Sequence, residues 1–273
     1  MKKVYLLLLG IITLSEIHAQ QIELKVIEGM GSRLYDINDN GMAIHSGAYF
    51  DFATGVTTPT EGGQNTNRIN NAGDVAGLMA YTSSEGEELG QVAYKKNGTW
   101  TAIGYFTGDV PGNSWFSSAN AISGNSKYVT GQISTSVENS YAYIYNTEAG
   151  TIKKLDGDGS FEYGRGEGVN SSGIVAGFVN KYSINGSTYW IPVYYTPDGV
   201  VHYIGDLGYG EAADINDAGQ VVGEKDGKPF LYDINTNVYK AFNIPAGFDS
   251  ATFTSISEQV WLLATQEMQV TER

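Results

Sequence analysis

Apolar and polar residues alternate along most of the chain in short runs, and tight turns separate the runs. In the clearest unit, Ile215-Asn216-Asp217-Ala218-Gly219 is followed by Val221-Val222-Gly223. Alternation with a period of two on both sides of a turn is typical of paired β-strands, because Asn and Asp bond their own backbone and Gly accepts positive φ. No window outside the signal-like first twenty residues has a helical period. The pattern predicts an all-β protein.

The same unit occurs six times along the sequence. Successive copies are separated by 32, 53, 47, 46 and 41 residues, an average of about 44. A period of this size identifies a repeat architecture. The third copy lacks the turn glycine. The copies begin at Ile37, Ile69, Ile122, Val169, Ile215 and Ile256.

Each copy also predicts two further strands. An aromatic run such as Tyr141 to Tyr145 or Pro229 to Tyr232 forms a third strand, and a second turn leads to a fourth strand such as Val238 to Phe242. Four antiparallel strands in about 40–45 residues correspond to one propeller blade. The sequence therefore predicts a single β-propeller domain over residues 20–273, with about six four-stranded blades and an incomplete last blade.

The sixth copy loses its pattern after Ser257-Glu258, where neither a turn nor a glycine follows. Two interpretations stay open. A base missing at Gln259 would allow a shifted reading frame to restore Gly-x-Val-x-Gly and to continue with further blades. Alternatively, this is a divergent last strand in which Val260, Trp261 and Leu263 close the ring.

The repeat resembles the HAF repeat family of bacterial extracellular proteins. The best copy is Gly210 to Gly223, and Pro229-Phe230-Leu231-Tyr232 stands where that family has His-Ala-Phe-Leu. The resemblance covers roughly residues 31–258, but the family's histidine is missing from every copy. It implies a repeat scaffold without a settled chemistry, so the function has to be argued from individual sites.

The first residues have the pattern of a secretory signal peptide. Lys2 and Lys3 precede an apolar run from Val4 to Leu14, and Ala19 offers a cleavage site. No later stretch reaches the roughly 20 apolar residues of a membrane-spanning helix. We therefore expect residues 1–19 to be removed and the protein to be secreted, extracellular or periplasmic, without membrane insertion and as a monomer.

Composition excludes several classes of function. The 273-residue chain has a formal net charge of −14, which disfavours binding to nucleic acid. It contains no cysteine, so disulfides, thiolate metal sites and cysteine nucleophiles are excluded. After signal removal only His45 and His202 remain, in no recognised motif, and we interpret both as structural residues. We expect no cofactor.

One segment has a weak likeness to a calcium loop. Asp156, Asp158 and Ser160 alternate with other residues, and Glu167 stands twelfth in line. Oxygen ligands at such spacing suit Ca²⁺, but Phe161 occupies the position where these loops need glycine. A solvated Asp-Gly turn is the alternative interpretation.

The connections between blades repeatedly carry an aromatic residue and acidic residues. In a propeller these connections emerge on one face, where rings could stack on sugars and carboxylates could bond hydroxyl groups. The alternative is that the rings pack over neighbouring blades. The candidate ligand-binding residues are Trp115, Phe161, Tyr163, Tyr209, Asp158, Glu162 and Asp206, with Phe248 in a further connection.

Two classes of function therefore stay open. The first is a non-catalytic binding or adhesion propeller for a glycan or an extracellular protein, with no catalytic residues assigned. It is favoured because similar repeats place no unique set of residues at the axis. The second is a carbohydrate-active enzyme, a glycoside hydrolase or lyase, which would need two carboxylates at a separation of about 5–9 Å.

Overall fold

The structure is a computed structural model. It describes residues 35–45, 47–82, 86, 88–103, 117–134, 140–157, 159, 161, 163–182, 188–205, 208–244, 250–258 and 262–267. The predicted signal peptide over residues 1–19 lies outside these ranges. No helix in the described ranges is long and apolar enough to cross a membrane.

Five four-stranded antiparallel sheets follow one another along the chain, and each is built from consecutive strands in chain order. They are the blades of a β-propeller, so the predicted fold class is confirmed. The first three blades consist of β1 (Asp36–Ile37), β2 (Met42–His45), β3 (Ala48–Asp51), β4 (Val56–Pro59), β5 (Gly63–Ile69), β6 (Val75–Thr82), β7 (Glu88–Lys96), β8 (Thr99–Ala102), β9 (Ser118–Ile122), β10 (Tyr128–Ser134), β11 (Ser140–Asn146) and β12 (Thr151–Leu155).

The expectation of six four-stranded blades is not supported. After five complete blades, the described residues contain one sheet of only two strands, β21 paired with β22. The remaining strands are β13 (Gly164–Val169), β14 (Val175–Tyr182), β15 (Thr188–Tyr195), β16 (Val201–Tyr203), β17 (Gly210–Ile215), β18 (Gln220–Lys225), β19 (Lys228–Asp233), β20 (Val238–Ala241), β21 (Ser250–Ile256) and β22 (Leu262–Glu267).

Every copy of the sequence motif begins on the last residue of the first strand of a sheet. The turns that follow this strand therefore share one face of the propeller, which we call the turn face. The connections that lead from one blade into the next share the opposite face, the loop face. The six strand-ending residues are Ile37, Ile69, Ile122, Val169, Ile215 and Ile256.

The motif asparagine fixes both its own turn and the spacing between blades. In the fourth blade, Asn170 Oδ1 accepts hydrogen bonds from the N–H groups of Ser172 (3.1 Å) and Ile174 (3.0 Å). Its Nδ2 donates to the carbonyl oxygen of Asn216 in the next blade at 3.3 Å. In the second blade, Asn70 Nδ2 likewise donates to the carbonyl oxygen of Ser123 in the third blade, at 3.0 Å. The motif is therefore an element of the scaffold.

A second repeated feature is a β-bulge in the first strand of a blade, just before the motif. In β13 the register against β14 shifts between Gly166 and Gly168, which leaves Glu167 as the extra residue. The second strand has a glycine opposite the bulge, because a Cβ at Gly177 would overlap the carbonyl oxygen of Arg165. A β-bulge changes the direction of the side chains around it. In this protein the bulges turn side chains of the first strands toward the centre of the ring.

The apolar core lies between neighbouring blades. Ala142 and Ile144 of the third blade share one cluster with Val175 and Val193 of the fourth. Each such interface buries apolar surface worth about 25 cal/mol per Å². The ring consequently holds the inner strands in fixed positions around the axis.

Candidate functional site

Arg68 crosses the centre of the ring. Its Nη2 donates hydrogen bonds to the carbonyl oxygens of Ala213 (2.9 Å) and Thr254 (2.7 Å), and its Nη1 donates to that of Tyr35 (3.2 Å). Arg68 belongs to the second blade, whereas these acceptors lie in the fifth blade, in β21 and next to β1. The guanidinium therefore ties opposite sides of the propeller together at the axis.

Two carboxylates share this layer with Arg68. Asp36 Oδ1 lies 3.7 Å from Arg68 Nη1, and Ser255 Oγ lies 2.8 Å from Asp36 Oδ1 and 2.9 Å from Asp214 Oδ2. Burial raises the pKa of Asp36 to about 6, with Arg68 lowering it and Asp214 raising it further. Asp36 also accepts from the N–H of Ile69 at 3.0 Å. Both carboxylates therefore form hydrogen bonds with residues of the propeller itself.

Glu167 departs from the repeat pattern at the bulge. The equivalent residues Asn67 and Asn120 each donate through Nδ2 to a carbonyl oxygen of the next blade, at 2.9 Å in both cases. Glu167 carries no such donor, and its Oε1 lies 2.7 Å from Arg165 Nε. Burial raises the pKa of Glu167 to about 7, although Arg165 and Arg68 lower it.

Glu211 adds a second carboxylate on the loop-face side of the axis. It stands four residues before its motif isoleucine, as Arg165 stands four residues before Val169, so the two occupy equivalent positions in neighbouring inner strands. Burial raises the pKa of Glu211, and Arg165 opposes the shift. Arg165, Glu167 and Glu211 form a polar cluster at the loop-face mouth of the axis.

A shallow funnel opens at the other end of the axis, on the turn face. Asp36 and Arg68 lie at its base, and Asp39, Asn71 and Glu258 line its rim. The rim groups bond one another: Asn71 Nδ2 donates to Asp39 Oδ2 at 2.7 Å. Burial raises the pKa of Glu258 to about 7. This funnel is closed at its base by Arg68 and lined by groups that hold the blades together.

Four aromatic rings stack in nearly parallel planes at the loop face. Phe178 and Trp190 have ring centroids 4.8 Å apart, Trp190 and Tyr209 6.0 Å apart, and Tyr163 and Phe178 6.0 Å apart. Phe178 is fully buried, whereas Tyr209 is 50% exposed and ends the stack in solvent. Because Tyr209 enters the fifth blade and the other three rings belong to the fourth, the stack bridges two blades.

Tyr163 connects the aromatic stack to the polar cluster. Its hydroxyl lies 3.1 Å from Gln132 Oε1 in the third blade. Burial raises the pKa of Tyr163, and the charges of Arg165, Glu167 and Glu211 also act on it. Aromatic faces, an amide, a guanidinium and two carboxylates thus lie in one region of the loop face. We call this set, Gln132, Tyr163, Arg165, Glu167, Trp190, Tyr209 and Glu211, the loop-face site.

The structure places the sequence-predicted aromatic residues in different environments. Tyr163 and Tyr209 belong to one stack at the loop face. Phe161 differs from the expectation of a surface ring, because it is 6% exposed and packs in the core between the third and fourth blades. The other predicted ligand-binding residues, Trp115, Asp158, Glu162, Asp206 and Phe248, lie outside the described residues.

The residues of the calcium interpretation have different surroundings. Asp156 Oδ2 lies 3.1 Å from Lys154 Nζ, whereas Glu167 pairs with Arg165 at the axis. The other two proposed ligands, Asp158 and Ser160, lie outside the described residues. Within the described ranges there is no group of three or more acidic or histidine side chains that could hold a metal ion. His202, in turn, stacks on Tyr194 with ring centroids 4.6 Å apart.

Sequence reasoning missed Arg165, Glu211, Gln132 and Trp190. A signal was available for the two charged residues, since alignment on the motif places them four residues before Val169 and Ile215 in strands that otherwise carry small residues. Trp190 lies in the third strand of its blade, and no local pattern marks it. Its contact with Tyr209 depends on how two blades pack, and local patterns do not report that.

The fold and the site define a β-propeller with a charged axis and an aromatic loop face. Among solved structures, the chain is similar to a TolB-like protein from Agrobacterium tumefaciens, with 13% identity, a TM-score of 0.56 and coverage of 90% of this chain and 95% of that one. It is also similar to a prolyl endopeptidase, with 12% identity, a TM-score of 0.53 and coverage of 93% of this chain but only 46% of that one.

Identities this low establish the fold alone. No protein-family model and no curated protein sequence matches the chain. The resemblance to HAF repeats therefore stays a prediction.

Proposed function

We propose that this chain is a secreted, non-catalytic binding propeller whose loop-face site recognises a glycan. The observation that carries the proposal is the aromatic stack that ends in the half-exposed ring of Tyr209, which stacks on the partly buried Trp190, itself stacked on the buried Phe178. A rigid ring of this kind offers an apolar face to the C–H side of a sugar without first having to be ordered. Tyr and Trp give large contact area at low entropic cost for this reason.

The neighbouring polar groups suit sugar hydroxyls. Arg165 is a fork of hydrogen-bond donors and the carboxylates of Glu167 and Glu211 are acceptors. Gln132 is buried, and its Oε1 accepts the hydrogen bond that holds the Tyr163 hydroxyl. The side chain of Arg165 is 37% exposed and that of Glu167 is 16% exposed, so both can be reached from the loop face. The acidic balance of the chain favours neutral or cationic sugars over anionic ones.

The deeper axial layer supports binding rather than turnover. A catalytic acid or base must reach the reacting atoms of a substrate. Asp36 and Asp214 instead bond the ring through Ser255, and Asp214 also accepts from the N–H of Ile256 at 3.0 Å. These carboxylates stabilise the scaffold.

A glycan array tests the proposal. We expect wild-type protein to bind a defined set of neutral or amino-sugar glycans and Glu211→Gln to lose or change that set, while reducing-sugar release stays at background. Binding to extracellular proteins with a blank array would overturn the glycan assignment. Release of reducing sugar would overturn the non-catalytic assignment.

One observation favours a carbohydrate-active enzyme as the second candidate. Glu167 has a pKa of about 7 and senses the charge of Glu211, and a carboxylic acid that keeps its proton near neutral pH suits a general acid. If the protein is such an enzyme, the rate of sugar release should fall as the pH rises through about 7. Glu167→Gln should then abolish that release while glycan binding persists.

A further inference from the structure

The hairpin between β18 and β19 holds the exposed end of the aromatic stack. The N–H of Tyr209 donates to Asp226 Oδ1 at 3.0 Å, and the N–H of Asp226 donates to the carbonyl oxygen of Tyr209 at 2.7 Å. The carboxylate of Asp226 lies against Gly208, where an added Cβ would come within 2.7 Å of Oδ2 and 2.9 Å of Oδ1. The backbone of Tyr209 is therefore fixed by a residue of its own blade.

The fourth blade holds Tyr163 in the same way. The N–H of Tyr163 donates to Asn180 Oδ1 at 2.8 Å, and the N–H of Asn180 donates to the carbonyl oxygen of Tyr163 at 2.9 Å. In both blades the partner stands 17 residues after the tyrosine. Neighbouring blades thus clamp two tyrosines of the stack with equivalent residues, Asn180 in one blade and Asp226 in the other.

Neither the clamp nor the hairpin turn requires the charge of Asp226. The clamp needs one side-chain oxygen that accepts an N–H, and the amide of Asn180 supplies it in the fourth blade. Asp226 and Gly227 are the two residues of the β18–β19 turn, with φ of 53° and 77°. Asn-Gly suits such a turn as well as Asp-Gly does, and Asn97-Gly98 forms one between β7 and β8 with φ of 51° and 80°.

The second carboxylate oxygen of Asp226 can be reached by a ligand. The side chain is 62% exposed, and Lys225 Nζ lies 3.7 Å from Oδ2, which is longer than a hydrogen bond. The residue that Asp226 clamps, Tyr209, is itself 50% exposed. An aromatic face with a charged acceptor beside it suits a sugar, because the ring stacks on C–H groups while hydroxyl groups donate to the carboxylate.

We propose that Asp226 is a ligand-binding residue of the loop-face site. Its Oδ1 holds Tyr209 at the end of the stack, and its Oδ2 accepts a hydrogen bond from a hydroxyl group of the sugar that lies on the Tyr209 ring. This inference rests on the proposed glycan-binding function and adds a specificity-determining acceptor to it.

Asp226→Asn separates the two roles of the carboxylate, because an amide keeps the acceptor for the Tyr209 N–H but presents a donor to the sugar. The probe is the oligosaccharide that binds most strongly on an array of neutral and amino-sugar glycans, titrated by calorimetry. We expect Asp226→Asn to weaken its binding about tenfold, through the loss of one charge-assisted hydrogen bond. Asp226→Ala should weaken binding further, because it also releases Tyr209.

Near-ultraviolet circular dichroism reports the position of the Tyr209 ring without any ligand. The difference between wild type and Tyr209→Ala gives the signal of the contact between Trp190 and Tyr209. Asp226→Asn should keep this signal, and Asp226→Ala should lose much of it. If Asp226→Asn loses the signal as well, its weaker binding comes from a displaced ring, and the direct contact between Asp226 and the sugar is overturned.

Asp233→Asn is the matched control, because it removes the same charge from the turn-face side of the same blade. Asp233 Oδ1 likewise accepts from backbone N–H groups, those of Asn235 at 2.9 Å and Thr236 at 3.2 Å. This variant should bind the probe as wild type does. Wild-type affinity in Asp226→Asn, or an equal loss in Asp233→Asn, would overturn this inference alone. A wild type that binds no glycan on the array would overturn the proposed function and this inference with it.

Discussion

Glu167 takes the bulge position at which the second and third blades carry asparagine. There Asn67 and Asn120 each bond the next blade, whereas Glu167 offers an acid whose pKa burial raises from 4.5 to about 7. The folded chain therefore binds more protons than the unfolded chain between about pH 4.5 and 7. Stability from this group must fall as the pH rises through that window.

We expect Glu167→Asn to raise the free energy of unfolding by about 2 kcal/mol at pH 8 and to change that free energy little at pH 5. The substitution removes a partly buried charge and supplies the donor that the second and third blades use, and one pKa unit corresponds to about 1.4 kcal/mol. Urea unfolding at both pH values measures the effect. A wild type more stable at pH 8 than at pH 5 would contradict this account of Glu167.

A stabilising change at Glu167 should also weaken ligand binding if the residue belongs to the loop-face site. Natural sequences depart from local rules mainly where function requires it. The departure at Glu167 stands next to Arg165 and Tyr163, and this coincidence is the reason for placing it in the site.

At the scale of single elements, the glycine of each second strand has a steric origin. A Cβ at Gly77, Gly131, Gly177 or Gly223 would overlap a carbonyl oxygen of the bulged first strand. This explains why the repeat keeps Gly after two small or β-branched residues. The bulge and the glycine form one unit that aims inner-strand side chains at the axis.

We expect Gly177→Ala to destabilise the protein by about 3 kcal/mol, since the overlap is with backbone that cannot move freely. Gly124→Ala is the matched control, because its Cβ would meet only side-chain atoms, the Ser171 hydroxyl at 3.3 Å and Asp217 Oδ2 at 3.6 Å. Thermal unfolding followed by circular dichroism compares the two. Equal melting temperatures would show that the bulge can relax and that the glycine is not required.

The third motif copy shows how a missing glycine is tolerated. Ser126 adopts the glycine-like backbone with φ of 57°. Its hydroxyl lies 2.6 Å from Asp74 Oδ2 and 2.7 Å from Asn70 Nδ2, both in the second blade. These buried contacts offset the strain of positive φ, which costs about 1 kcal/mol outside glycine.

The sequence was sufficient to predict the strands and turns because their signals are local. Asn216, its turn and the strand that follows behave as the motif indicates, and so do the aromatic third strands. The axial layer was not predictable, because a bulge at Glu167 decides which inner-strand residues face the centre. The stacking of Trp190 on Tyr209 was missed for a related reason, since it joins two blades.

At the scale of the whole molecule, Arg68 links blades that are far apart in sequence. It bonds carbonyls beside β1, in β17 and in β21, and Asp36 and Asp214 balance its charge. Burial lowers the pKa of Arg68, but the charges of Asp214, Asp36 and Glu167 raise it by more, so that the pKa lies above its ordinary value. The guanidinium therefore stays charged.

We expect Arg68→Met to destabilise the protein by about 3–5 kcal/mol, because it leaves the buried Asp36 and the partly buried Asp214 without their counter-charge. Arg68→Lys should recover part of the loss, since an ammonium keeps the charge but cannot bond three carbonyls at once. Urea unfolding measures both variants. An unfolding midpoint unchanged in Arg68→Met would show that the axis does not hold the ring together.

Ligand binding at the aromatic loop face can be measured by calorimetric titration. The strongest glycan from the array is titrated into wild type, Tyr209→Ala and Tyr189→Ala. Tyr189 is a fair control because it is 42% exposed, lies in the neighbouring fourth blade and alternates with Trp190 along β15.

We expect at least about tenfold weaker binding to Tyr209→Ala, equivalent to about 1.4 kcal/mol. We expect wild-type affinity for Tyr189→Ala, and melting temperatures within about 2 °C of wild type for both variants. Equal affinity in all three proteins would contradict a ligand site at the loop face. So would a loss of binding in Tyr209→Ala that comes with a large fall in melting temperature, because the ring would then belong to the core.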